Sequence, residues 1–90
     1  MRSSEGVEGT SETVLVRYWA GARAAAGVEN ERLTGVDTVS DLLERLAAAH
    51  PALEAVLPVC SVLIGGRAST ADDPVPPGAV VEVLPPFAGG

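Results

Sequence analysis

Ninety residues, a formal net charge of −6 and 47% apolar content describe one small globular domain rather than a disordered chain. The acidic balance, with six scattered arginines and no lysine, argues against nucleic acid or an anionic membrane surface as a partner. A single cysteine, Cys60, excludes an internal disulfide, and no apolar run approaches the ~18 residues of a membrane span.

Residues 1–12 (MRSSEGVEGTSE) are polar and rich in Gly, Ser and Glu. They carry too little apolar surface to offset their own ordering entropy, so a flexible tail is expected, with the domain starting at Thr13. They also lack the basic-then-apolar layout of a signal peptide, which points to the cytoplasm. Residues 13–20 (TVLVRYWA) are β-branched and aromatic and predict a strand. Residues 22–27 are small and suit a loop or a helical turn, and residues 29–33 predict a weaker second strand that closes a hairpin.

The clearest element begins at Thr38. Its hydroxyl can accept from the first-turn amides, with Asp41 as the reciprocal partner of a capping box. Val39, Leu42, Leu43, Leu46, Ala47 and His50 then fall on one helical stripe, opposite Asp41, Glu44 and Arg45. Pro51 stops this helix. Residues 52–57 fit one further short turn. Residues 60–64 (CSVLI) read as a buried strand, followed by a tight turn at Gly65-Gly66. Pro76-Pro77-Gly78 is placed for a type II turn. Residues 80–84 (VVEVL) form the last strand, which Pro85-Pro86 ends because neither residue has an amide hydrogen for a ladder. The domain thus spans residues 13–84, with a tail at 85–90. The order strand, strand, helix, strand, strand suits an α+β fold: one mixed sheet with one main helix on one face, similar to the β-grasp of ubiquitin.

Little in this chain can perform catalysis. Nucleophilic chemistry needs a nucleophile, a base and an orienting group together. Cys60 reads as a small structural thiol in an apolar strand, and His50 as a cation at the negative end of a helix. Asp72-Asp73 before Pro74 is explained by turn chemistry and is a poor metal site. Gly65-Gly66 lacks the continuation of a phosphate loop. The C-terminus differs. PPFAGG leaves a strand through two stiff prolines and finishes in two residues without side chains, which can pass where no Cβ fits.

The pieces VLVRYWAGARAAAG, TVSDLLERLAAAHP, VLIGG and above all VEVLPPFAGG resemble the MoaD/ThiS family of ubiquitin-like sulfur carriers, nearest to its MoaD branch. That resemblance covers nearly the whole folded part. It implies a non-catalytic, sulfur-carrying small subunit of molybdopterin synthase. An E1-like adenylating enzyme spends ATP on the Gly90 carboxylate, and a sulfur donor protein converts it to a thiocarboxylate. The large synthase subunit then receives the tail, formed by Pro85, Pro86, Phe87, Ala88, Gly89 and Gly90. No metal or cofactor is expected on the chain itself. A carrier for cysteine or thiamine synthesis, a ubiquitin-like protein modifier and a plain interaction domain remain alternatives.

Strand phase suggests where partners dock. Val14, Val16 and Tyr18 share one face of the first strand, and Leu15, Arg17 and Trp19 share the other. With one helix available, the second face stays open. Trp19 and Leu84, with Ala68 as a smaller third member, are expected to form an exposed docking patch there. The alternative is a bulge that turns Trp19 into the core.

Overall fold

β1 (Val14–Tyr18) alternates buried and exposed residues along its length, as the strand phase requires. It stops at Tyr18 because Trp19 caps a short helix, α1 (Ala20–Ala26), which sequence composition left undecided between loop and turn. β2 (Asn30–Leu33) follows, then α2 (Val39–Ala49) and two single-turn 3₁₀ segments, Pro51–Leu53 and Leu57–Val59. β3 (Ser61–Ile64), a two-residue β4 (Arg67–Ala68) and β5 (Val80–Leu84) complete the order. This computed structural model describes residues 13–86. The expected tail at 1–12 and the chain from Phe87 to Gly90 lie outside the described residues.

The five strands form one mixed sheet in the order β2-β1-β5-β3-β4. β1 and β5 run parallel, and the other neighbours are antiparallel. α2 supplies Val39, Leu42 and Leu46 to a core that also holds Val14, Val16, Tyr18, Val62, Val81 and Val83. This is the β-grasp arrangement that the element order implies, enlarged by α1 and β4.

Local chemistry accounts for the joints. At the start of α2, Thr38 Oγ1 accepts from the Asp41 amide (3.2 Å), and Asp41 Oδ2 accepts from the Thr38 amide (3.3 Å). Both halves of the capping box are therefore present, a motif whose removal typically costs about 1 kcal/mol. Gly65 and Gly66 have φ of 58° and 83°, so the hairpin turn needs two residues without a Cβ penalty. The Ala79 amide donates to the Pro76 carbonyl (3.1 Å) across Pro77 and Gly78, whose φ of 81° makes the expected type II turn. Asp73 is likewise structural, its Oδ2 accepting from the Thr70 amide at 2.9 Å.

One polar cluster ties β1, β2 and the end of α2 together. The Tyr18 hydroxyl donates to Glu31 Oε2, and His50 Nε2 lies 2.7 Å from the same oxygen. The tyrosine and imidazole rings meet edge-on at 6.1 Å. Burial first, and then the hydrogen bond and charge of Glu31, push the Tyr18 phenol far above its ordinary range. The neutral phenol is thus favoured in the folded state. This part of the stability is fully present below the unfolded tyrosine value and is lost as pH rises past it. Thermal melts should accordingly show stability falling above about pH 10. Tyr18→Phe should flatten that alkaline decline, and an unchanged decline in the variant would assign it to other groups.

Candidate functional site

The helix-free face of the sheet is ordered by register. Asn30, Arg17, Glu82, Leu63 and Ala68 are successive cross-strand partners and make one row across all five strands. Nearer the tail, Leu84 lies opposite Ser61. Trp19 stands beside Leu84, since the Trp19 amide donates to the Val83 carbonyl (3.1 Å). On the other side of the central row, Leu15 pairs with Val80 and Arg32. The opposite face, carrying Val16, Tyr18, Val81 and Val83, is closed by the core.

Trp19 is 40% exposed, so the strand does not bulge and the indole does not turn inward. Its position follows from a sharp corner in the chain. Ala20 has φ of 48°, the one positive value among described non-glycine residues, and it turns the backbone from β1 into α1. The Trp19 carbonyl accepts from the Ala22 and Arg23 amides, which starts that helix. The indole is held by polar groups on either side: Nε1 donates to Glu82 Oε2 (3.2 Å), and the Arg17 guanidinium lies over the ring at 5.3 Å.

Of the residues singled out in the sequence, Trp19 and Leu84 are brought together at the root of the tail. Ala68 is exposed on β4, two strands out from Leu84. Pro85 is half-buried and Pro86 exposed, so the chain leaves the sheet beside Trp19. Phe87, Ala88, Gly89 and Gly90 lie outside the described residues. Sequence reasoning missed Leu63, which belongs to the same face. Its neighbours hid it, because CSVLI reads as one continuous apolar run without alternation.

Cys60 stands one residue before β3, where a strand residue was expected, and it is half-buried. Its Sγ donates to the Val56 carbonyl (3.3 Å), and burial raises the thiol above its usual value. It therefore stays a protonated, weakly nucleophilic thiol near neutral pH. Cys60→Ala should lower stability by only about 1 kcal/mol in a denaturant titration. A loss several times larger would show that the thiol packs as a core residue. His50 is engaged with Glu31 instead of Cys60. Among the described residues no group of three or more His, Cys, Asp or Glu could hold a metal. No helix among them is long and apolar enough to cross a membrane.

Residues 16–90 match the model of the ThiS family. The chain belongs to the ThiS family. A Chlamydomonas reinhardtii relative, the molybdopterin synthase sulfur carrier subunit, is 33% identical over 82 residues, covering 86% of this chain and 98% of that protein. Among solved structures, a Pyrococcus furiosus protein described as molybdopterin converting factor subunit 1 is 29% identical. It covers 86% of this chain and is itself covered completely, with a TM-score of 0.76. SAMP1 of Haloferax volcanii, a small archaeal modifier protein, is 28% identical, covers 87% of this chain and 99% of its own, and has a TM-score of 0.75. The ThiS-family match starts inside β1 and runs through Gly90, so it includes both the helix-free face and the terminal glycines.

Proposed function

We propose that this ThiS-family chain is the sulfur-carrying small subunit of molybdopterin synthase, working in the cytoplasm. The observation that carries the reading is the family match through Gly90, joined to 33% identity with a sulfur carrier subunit of that synthase. The Gly90 carboxylate attacks the α-phosphorus of ATP on an E1-like enzyme, and pyrophosphate leaves. This converts a poor electrophile into an acyl adenylate. Sulfide released by a donor protein then adds to the carbonyl carbon and AMP leaves, so a thiocarboxylate remains on Gly90. Residues 85–90 enter the large synthase subunit, where that sulfur attacks the molybdopterin precursor and water then cleaves the acyl–sulfur bond, returning the Gly90 carboxylate. The acid and base groups of these steps belong to the partners. Trp19, Leu84 and Ala68 form the surface on which the partners dock, since exposed apolar patches mark interfaces and Trp is a favoured anchor.

Incubation with the adenylating enzyme, ATP and the sulfur donor should replace one oxygen of the chain by sulfur, read by intact mass. Addition of the large subunit and the precursor should return the carboxylate. A chain that stays unloaded while the same enzyme loads another carrier would overturn the proposal. A second reading, a protein modifier joined through Gly90 to lysines of targets, is favoured by the likeness to SAMP1. It predicts covalent conjugates in the same incubation when cell extract is added.

A further inference from the structure

The open face carries a charge where a purely apolar dock would have none. Arg17 lies on β1, one of the two parallel inner strands, and its row runs across the whole sheet. It is exposed, and its guanidinium covers the Trp19 ring. No ion pair to Arg17 forms among the described residues. Its cross-strand partner Glu82 accepts instead from Trp19 Nε1.

A partner lying on this face covers Arg17. Removing an unpaired guanidinium from water is expensive, whereas a guanidinium–carboxylate pair with good geometry offsets much of that cost. Stacking on the indole uses the flat face of the guanidinium and leaves its N–H edge free, and that edge is suited to bidentate contact with a carboxylate. The stack also restricts the long side chain before docking, which lowers the entropy lost on binding.

We propose that Arg17 is a specificity contact that receives an aspartate or glutamate of the docking protein, with Trp19 as the platform that holds it ready. The inference rests on the docking reading above. A polyanion is a poor occupant, because the face sets Arg17 and Arg32 against Glu82 on a chain of net charge −6. The competing account is internal: on docking, Arg17 swings to Glu82, and the partner contributes nothing.

Binding of the recombinant large synthase subunit from the same source, followed by calorimetry at low and high salt, separates these. Arg17→Met keeps an apolar stem and removes the charge. It should weaken binding about 10-fold or more at low salt and flatten the salt dependence. Glu82→Gln keeps an acceptor for Trp19 and should change affinity less than about 3-fold, and the double variant should be as weak as Arg17→Met alone. The proposal fails if Arg17→Met costs less than about 3-fold, or if Glu82→Gln restores what Arg17→Met loses. Trp19→Ala measured alongside keeps the two readings apart. Unchanged binding there removes the docking face itself, whereas lost binding there with intact binding in Arg17→Met removes only the ion pair. Melting curves for each variant confirm that all remain folded.

Discussion

Deleting Gly90, or adding one residue after it, should abolish thiocarboxylate formation and leave the melting temperature unchanged. The proposed chemistry acts on one carboxylate, which must reach the α-phosphorus of ATP inside another protein. One residue moves that carboxylate by about 3.3–3.6 Å along an extended chain. A misplacement of about 1 Å can already cost on the order of 100-fold, so a whole residue exceeds any tolerance of the active site. Adding a residue also changes which carbonyl is terminal, and any side chain it brings must pass where Gly89 and Gly90 offer none. Stability should not follow, because the described core is built from residues between Val14 and Val83. Intact mass after incubation with the activating enzyme, paired with a thermal melt, tests both halves. An extended form that gains sulfur without being trimmed sinks the proposal.

Trp19→Ala should weaken binding to the large subunit and to the adenylating enzyme by about 2 kcal/mol or more, which is roughly 30-fold in affinity. The indole is 40% exposed on the face that no helix covers, and Leu84 and the departing tail are adjacent. Truncation removes the anchor together with its contacts to Glu82 and Arg17. The core lies on the opposite face, so thermal stability should fall by no more than about 1 kcal/mol. A core tryptophan would instead cost about 3–5 kcal/mol. Calorimetric titration and melting of one preparation decide the matter. A core-sized loss of stability would mean that Trp19 serves the fold.

Much of this arrangement was legible in the residues because it rests on short-range rules. Thr38 and Asp41 announced the start of α2, and the alternation Val14, Val16, Tyr18 against Leu15, Arg17, Trp19 placed both faces of β1. Pro77-Gly78 defined its turn. What escaped depends on neighbours distant in sequence or on backbone conformation. Residues 20–26 are small and carry no apolar stripe, so α1 had no periodic signal; its start depends on Ala20 adopting positive φ, which alanine does not advertise. β4 has two residues and exists only through its pairing with β3. The Tyr18–Glu31–His50 cluster joins three elements that no spacing rule connects. Cys60 was placed inside the strand because the apolar run continues through it, whereas its amide closes the second 3₁₀ turn by donating to Leu57. The open face was legible in outline, since Leu15, Arg17 and Trp19 share it on β1, whereas Leu63 was hidden in a continuous apolar run and joins Arg17 and Glu82 in one row only through strand pairing.

The parallel pairing of β1 with β5 has a mechanical consequence. The chain enters the sheet at Val14 and leaves it at Leu84, from opposite ends of two adjacent strands. Tension between those points slides the strands past each other lengthwise. Load then falls together on the inter-strand bonds, including Leu15 amide to Ala79 carbonyl and Trp19 amide to Val83 carbonyl. Such a shear geometry resists force far better than a hairpin opened from its end, where bonds break one at a time. A pull on the chain at Leu84 against an anchor at Val14 is therefore borne by both strands at once.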